Sequence, residues 1–121
     1  MLQEEELSYV VRGCIYEVFK ELGAGFLEKV YENALLRELR LHVVSAEAQV
    51  PIKVQYKGAV IGEYFADLLI EGSIILELKA QQHLAVSAEA QLMNYLKAGD
   101  IRIGMLVNFA HPRATIRRFI R

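Results

Sequence analysis

The sequence has few of the residues that build cross-linked, fibrous or disordered proteins. Cys14 is the only cysteine among 121 residues, which excludes an internal disulfide and a Cys-rich zinc site. We expect this residue to be a small member of the core. With 2 prolines and 8 glycines, the chain is not collagen-like, of low complexity or disordered.

The sequence also lacks the segments and motifs of several functional classes. No apolar run approaches the roughly 18 residues of a membrane span. The first residues, MLQEEELSYVVRG, carry acid where a signal peptide carries base. Neither GxxxxGK[ST] nor GxGxxG occurs, so we expect no nucleotide cofactor. These absences predict a soluble, cytoplasmic protein without a membrane partner.

Apolar side chains are abundant. Hydrophobic residues make up 54% of the chain, above the about 45–50% that is usual for soluble proteins. A chain of this length forms one domain, which we expect to span residues 1–121. The apolar excess and an amphipathic first helix suggest more apolar surface than one small domain covers, so we also predict a homodimer.

Positive charge is concentrated at the C-terminal end of the chain. Six basic side chains accompany the single acid Asp100 in the last segment: Lys97, Arg102, Arg113, Arg117, Arg118 and Arg121. Such a segment suits a polyanion near one edge of the protein. A solvated C-terminal strand explains the same pattern, and charge alone does not separate the two interpretations.

The hydrophobic periodicity changes from helical to strand-like and back along the chain. Spacings of three and four predict two N-terminal helices, and alternation from residue 48 onwards predicts strands. The predicted order is helices at 3–21 and 26–41, strands at 48–56, 59–70 and 74–80, a helix at 85–97, and strands at 102–109 and 114–120. This order is typical of an α/β sandwich with a central mixed β-sheet flanked by helices.

Three charged residues interrupt two strongly apolar strands. Asp67 stands in YFADLLI, and Glu77 and Lys79 stand in IILELKA. Glu77 and Lys79 are two residues apart, so they share one face of the sheet. If the three residues between the strands form the loop, Ile70 opposes Ile74 and Asp67 opposes Glu77. We therefore expect two carboxylates and one ammonium close together on one face.

This grouping has a chemical interpretation and a structural one. Two adjacent carboxylates repel each other unless a cation lies between them. Hard oxygen ligands in small number suit Mg²⁺ or Mn²⁺, and such an ion acidifies water and screens charge that develops on phosphorus. A neighbouring lysine can orient the attacking water and stabilise the transition state. Alternatively, Glu77 and Lys79 form a salt bridge on an exposed sheet.

The set Asp67, Glu77-Leu78-Lys79 resembles the signature of the PD-(D/E)xK nucleases, a superfamily of metal-dependent DNA hydrolases. Residues 25–31, GFLEKVY, also match GxxExxY, so the chain is similar to the bacterial and archaeal GxxExxY family of that superfamily. The resemblance covers about residues 20–120 and implies a restriction-endonuclease-like fold. Ala66 departs from it, because the superfamily name has Pro there.

The resemblance implies roles for several residues. Glu28, Asp67 and Glu77 would be metal ligands with catalytic roles, and the carbonyl of Leu78 a further ligand for Mg or Mn. Lys79 would be the catalytic lysine. The substrate would be nucleic acid, with DNA favoured.

Two further positions follow from a Q-x-x-x-Y motif. Gln91, which we also count as catalytic, and Tyr95 would bind substrate phosphates or brace the carboxylates from the next helix. Tyr31 would support the site from the core without touching substrate. His83 could meet a phosphate from a loop, and Asn108 is interpreted as a strand-end cap.

Three functions remain open from the sequence. The chain could be a metal-dependent nuclease, a nucleic-acid-binding module on a nuclease scaffold, or an interaction protein with an inert, salt-bridged sheet. The presence of all four charged residues, Glu28, Asp67, Glu77 and Lys79, favours the nuclease over the inert protein. They do not separate the nuclease from the binding module, since fold membership does not fix function.

Overall fold

The computed structural model describes residues 2–121; Met1, the first residue of the predicted domain, lies outside this range. The chain forms three helices and five strands in the predicted order. They are α1 (Glu4–Leu22), α2 (Glu28–Leu41), β1 (Ala46–Tyr56), β2 (Ala59–Ile70), β3 (Ile74–Lys79), α3 (Ser87–Gly99), β4 (Ile103–Asn108) and β5 (Thr115–Ile120). Within residues 2–121, no helix has both the length and the apolar character needed to cross a membrane.

Helices α1 and α2 pack against each other, and their apolar stripes face the sheet. Helix α1 ends at Gly23, which has a positive φ of 69° and donates its N–H to the Phe19 carbonyl over 2.7 Å. This conformation is one that glycine adopts without the strain of a side chain. The short segment that follows leads directly into α2, so Glu28 is the first residue of that helix.

The sheet is mixed, with strand order β1-β2-β3-β4-β5. Strands β3 and β4 are parallel, and all other neighbours are antiparallel. Helix α3 makes the crossover between the parallel pair, as a parallel connection requires. Ile70 pairs with Ile74, which confirms the predicted three-residue loop between β2 and β3.

Apolar side chains cover both faces of the sheet. On one face, α1 and α2 pack against residues such as Leu68, Leu76 and Val107. On the other face, α3 packs against Ile75 and Leu106. The predicted α/β sandwich with a central mixed sheet is confirmed.

The basic C-terminal segment is largely neutralised within the chain. Four of its arginines form ion pairs, which are Arg102–Glu4, Arg117–Glu89, Arg118–Glu5 and Arg121–Asp100. These ion pairs favour the interpretation of this segment as a solvated C-terminal strand. Side chains that are already paired with carboxylates are poor candidates for binding a polyanion. The partners Glu4 and Glu5 lie at the start of α1, so the ion pairs join the two ends of the chain.

Candidate active site

The candidate site lies where β2 and β3 separate. Backbone pairing between these strands ends at Leu68 and Leu76. Beyond that point, the Asp67 amide donates a hydrogen bond to Glu77 Oε1 over 3.1 Å, and the Leu78 amide donates one to Asp67 Oδ2 over 2.7 Å. The Glu77 and Asp67 carboxylates therefore accept hydrogen bonds from backbone amides. In a continuous β2–β3 ladder, carbonyls of the neighbouring strand would accept these bonds instead.

A pocket of about 200 Å³ opens beside Asp67 towards α2. Glu28, Glu32, Gln49, Asp67 and Leu78 line it together with Lys29. The structure thus brings three of the residues implied by the resemblance, Glu28, Asp67 and Leu78, to one cavity. Glu28 is exposed at its rim.

Three residues of this pocket, Lys29, Glu32 and Gln49, had no role assigned from the sequence. Gln49 Nε2 donates to Glu32 Oε1 over 2.6 Å and to Asp67 Oδ1 over 3.3 Å. Glu32 is only 3% exposed and also pairs with Lys29. The sequence does indicate that Glu32 lies near Glu28, because their four-residue spacing puts both carboxylates on one face of the helix. For Gln49 there was no signal, because its position depends on a positive φ of 53° within β1.

Glu77 is the most strongly perturbed acid of the site. Burial, reinforced by the charge of Asp67, raises its pKa to about 8. Burial likewise raises the pKa of Asp67, although the hydrogen bond from the Leu78 amide opposes this shift. Both shifts indicate carboxylates held in a desolvated place where negative charge is unfavourable without a cation. Perturbed acids in a cleft are typical of functional sites.

Lys79 lies at the end of β3, next to the two acids. Its charge lowers the pKa of both Asp67 and Glu77, so the ammonium is near them. Yet none of the ion pairs among residues 2–121 involves Lys79. The alternative interpretation, a salt bridge between Glu77 and Lys79, is therefore wrong, because their charged atoms lie more than 4.0 Å apart.

Helix α3 contributes Tyr95 to the other side of the site. Tyr95 is 6% exposed. Burial raises its pKa, and the charges of Glu77 and Asp67 raise it further. Its ring lies 5.2 Å from that of Tyr64, between centroids. Gln91 is exposed one helical turn before Tyr95, on the same side of α3.

Tyr31 belongs to the core. It is fully buried, and its ring stacks on Phe109 with centroids 4.3 Å apart. The Tyr31 hydroxyl donates to the Gly23 carbonyl over 2.5 Å and accepts from the Phe26 amide over 3.3 Å. It thereby fixes the segment between α1 and α2, which determines where α2 and Glu28 begin.

Two weaker candidates lie on the loop side of β3. Asn108 caps the strand end, as predicted: its side chain accepts from the Gln81 amide over 3.0 Å and donates to the Gln81 carbonyl over 2.9 Å. His83 is exposed on the loop after β3.

The donors of the site fit a hard divalent cation with few protein ligands. Asp67 and Glu77 supply carboxylate oxygens, which Mg²⁺ and Mn²⁺ prefer, and their raised pKa values show that a positive charge would be favourable. Among residues 2–121, however, no three acids of this site have oxygens within 4.8 Å of one another. The site as built therefore lacks a cluster of three carboxylates, and Glu28 would have to move towards Asp67 and Glu77 to complete one.

One other cluster could hold a metal among the described residues. Cys14, Glu38 and His42 have ligand atoms within 4.8 Å of one another, between α1 and the end of α2. Burial raises the pKa of Cys14 to about 11, so its thiol stays protonated at neutral pH. This residue is in the core, as predicted.

Comparisons with known proteins agree with this architecture. A protein-family model described as "PD-(D/E)XK nuclease superfamily" matches residues 5–119. The solved structure described as "Crystal structure of SSO0001" is similar with a TM-score of 0.60 and 21% sequence identity over 98% of this chain. This chain spans 59% of that protein's length. No curated protein matches the sequence. The structural likeness shows the fold, and the predicted restriction-endonuclease-like sandwich is confirmed.

Proposed function

Since this chain belongs to the PD-(D/E)XK nuclease superfamily, we propose that it is a metal-dependent nuclease that hydrolyses phosphodiester bonds, with DNA as substrate and Mg²⁺ or Mn²⁺ as cofactor. Within the superfamily we assign it to the GxxExxY group, on residues 25–31. The proposed enzyme works in the cytoplasm as one domain spanning residues 1–121.

The separation of β2 and β3 is the observation that carries this proposal. There the Asp67 amide donates to the Glu77 carboxylate, the Leu78 amide donates to the Asp67 carboxylate, and Lys79 follows Leu78 in β3. The pKa of Glu77, raised to about 8, indicates a site that favours a cation.

The residues of this chain would divide the work as follows. Asp67 and Glu77, with the Leu78 carbonyl and Glu28 from α2, would hold the divalent cation. That cation, when bound, supplies acidification of a water molecule and screening of the negative charge on the phosphate. The Lys79 ammonium would orient the attacking water and stabilise charge on the phosphate oxygens.

Helix α3 would act on the substrate. The exposed amide of Gln91 can donate to a phosphate oxygen, which is the interaction we propose for its catalytic role. The Tyr95 hydroxyl could either donate to the phosphate or brace Glu77, whose charge raises the Tyr95 pKa. Tyr31 would act only through the backbone it fixes ahead of Glu28.

A second function is favoured by one specific observation. Because Asp67 and Glu77 accept backbone hydrogen bonds, they have a use in folding that is independent of catalysis. A nucleic-acid-binding module without activity of its own could therefore keep the same acids.

We also propose a homodimer as the working form. Several large apolar side chains of β2 are exposed, among them Val60, Ile61 and Phe65. A partner copy would cover such surface. Light scattering at high micromolar concentration tests this, and a monomer there would contradict it.

Cleavage assays test the proposed nuclease. The protein should be incubated with single-stranded, nicked and branched DNA and RNA, in Mg²⁺ or Mn²⁺, beside the Asp67→Ala variant. We expect cleavage that requires the metal and disappears in the variant. Cleavage that survives in Asp67→Ala would indicate a contaminating nuclease, and no cleavage of any substrate would favour the binding module.

A further inference from the structure

A second groove lies between the β1–β2 hairpin and helix α3. Its volume is about 540 Å³, larger than that of the pocket beside Asp67. Lysine, amide and aromatic side chains border it, namely Lys53, Gln55, Tyr64, Asn94 and Lys97. No role follows for these residues from the nuclease signature.

The groove approaches the candidate active site at Tyr64 and Tyr95. Tyr64 lies at its wall, and its ring packs near that of Tyr95, with centroids 5.2 Å apart. Tyr95 in turn lies near enough to Glu77 for that carboxylate to raise its pKa. Along β2, Tyr64 precedes Asp67 by three residues, which is about 10 Å at roughly 3.3 Å per residue. A strand with about 3.4 Å per nucleotide covers this distance in about three nucleotides.

Helix α3 provides a polar edge in the same direction. Gln91, Asn94 and Lys97 are spaced three residues apart on this helix, so they follow one another along one side of it. The first is one turn from Tyr95, and the other two border the groove. Polar side chains therefore line this side of α3 from Gln91 to the groove.

The lysines of the groove are free to bind an anion. Neither Lys53 nor Lys97 takes part in any ion pair among residues 2–121. Glu63 stands opposite Lys53 in the β1–β2 pairing, but the two do not reach ion-pair distance. Four arginines of the C-terminal segment differ from Lys97 in this respect, because they are already paired with carboxylates.

We propose that this groove binds the single-stranded nucleic acid that flanks the cleavage point, with Lys97 and Lys53 on its phosphates and one base stacked on Tyr64. The combination of a basic groove with an exposed aromatic ring is the usual arrangement for single-strand binding. The inference rests on the proposed function, because it states that the substrate of the proposed nuclease site is single-stranded and that it lies in this groove.

Binding to labelled oligonucleotides without divalent metal tests the groove separately from cleavage. Fluorescence anisotropy should compare a single strand with its duplex, for the wild type, Lys53→Gln/Lys97→Gln, Tyr64→Ala and Tyr64→Phe. Arg37→Gln is the matched control, since Arg37 lies on α2, at the opposite face of the sheet. Thermal unfolding confirms that each variant is folded.

We expect the wild type to bind the single strand more tightly than the duplex. The logarithm of the binding constant falls as the logarithm of the salt concentration rises. In the double lysine variant this slope should be less steep by about 0.7 for each phosphate that is no longer neutralised. Tyr64→Ala should weaken binding by about 5- to 150-fold, as for the removal of one base stack, and Tyr64→Phe should restore it. Arg37→Gln should bind like the wild type.

Equal binding by the wild type and the groove variants would overturn the inference, as would preferential binding of the duplex or no binding of the single strand. Each of these results is independent of whether the protein cleaves. Conversely, the protein could bind single strands in the groove and cleave no substrate. That result would contradict the proposed nuclease activity and support the assignment of the groove.

Discussion

The amide of Asp67 donates a hydrogen bond to the Glu77 side chain over 3.1 Å, so the two proposed metal ligands are joined directly. The Asp67 carboxylate is itself fixed by the Leu78 amide. Each acid is therefore held in position before metal or substrate arrives, and each has oxygen lone pairs besides the one that accepts the backbone bond. The following predictions depend on this arrangement.

Asp67→Asn should abolish Mg²⁺ or Mn²⁺ binding with little loss of stability. The asparagine keeps an oxygen that can accept from the Leu78 amide, but it removes the negative charge. The charge of Asp67 disfavours ionisation of Glu77, whose pKa is about 8, so the metal-free variant should be slightly more stable than the wild type where Glu77 is ionised, above about pH 8. Calorimetric titration with either metal measures the binding, and Glu63→Gln on the same strand serves as control. Unchanged metal binding in Asp67→Asn would refute the ligand assignment.

Glu77 should make the metal-free protein less stable as the pH rises. Its pKa is about 8 in the folded protein, against an ordinary value of 4.5. Between these values the folded state holds a proton that the unfolded state has lost. The free energy of unfolding should therefore fall with rising pH in this window, by up to roughly 1.4 kcal/mol per pH unit.

Urea unfolding in the presence of a chelator, from about pH 5 to pH 8, measures this dependence. Glu77→Gln should flatten the curve, whereas Glu63→Gln on the exposed hairpin should not. A wild-type stability that stays constant or rises through this window would contradict a protonated Glu77.

Lys79→Ala should remove cleavage while leaving stability and metal binding almost unchanged. Loss of one group that stabilises developing charge typically lowers the rate by ~10²–10³-fold. No ion pair is broken, because Lys79 forms none among residues 2–121. The measurement is the single-turnover cleavage rate together with the melting temperature, with Lys20→Ala as a control on α1. Cleavage at the wild-type rate would exclude a catalytic Lys79.

Tyr31→Phe should destabilise the protein through the segment ahead of α2. The change leaves the Gly23 carbonyl and the Phe26 amide without the hydroxyl that now joins them, a loss of about 1–2 kcal/mol for two part-buried hydrogen bonds. Tyr9→Phe, at an exposed tyrosine of α1, should have no effect. Chemical denaturation of both variants provides the comparison, and equal stabilities would contradict this role.

The elements of the fold could be predicted because each depends on local pattern. The alternation of apolar residues determined both strands around the β2–β3 loop, and the count of loop residues correctly paired Ile70 with Ile74. The ladder stops at Leu68 and Leu76, so the predicted opposition of Asp67 and Glu77 is not part of it; a hydrogen bond from the Asp67 amide to the Glu77 side chain joins the two residues instead. Of the two, only Asp67 lines the pocket towards α2. Most element ends were displaced by one or two residues, because the last turn of a helix is defined by hydrogen bonds that the pattern does not contain.

The parts that escaped prediction depend on interactions between distant segments. Arg118 pairs with Glu5 across 113 positions of sequence, and no local pattern indicates such a partner. Gln49 reaches Glu32 and Asp67 only because the backbone of β1 has a positive φ at that residue. Burial of Glu32 likewise results from the packing of α2 against the sheet and not from its neighbours in the sequence.

The hydrogen bonds that close the gap between β2 and β3 have an evolutionary consequence. A lineage that lost its activity would still be selected to keep Asp67 and Glu77, because folding uses both. The side chain of Lys79 makes no ion pair among residues 2–121, so selection for folding alone would not retain it. Replacement of this lysine beside two intact acids is the pattern expected in descendants that have become binding proteins.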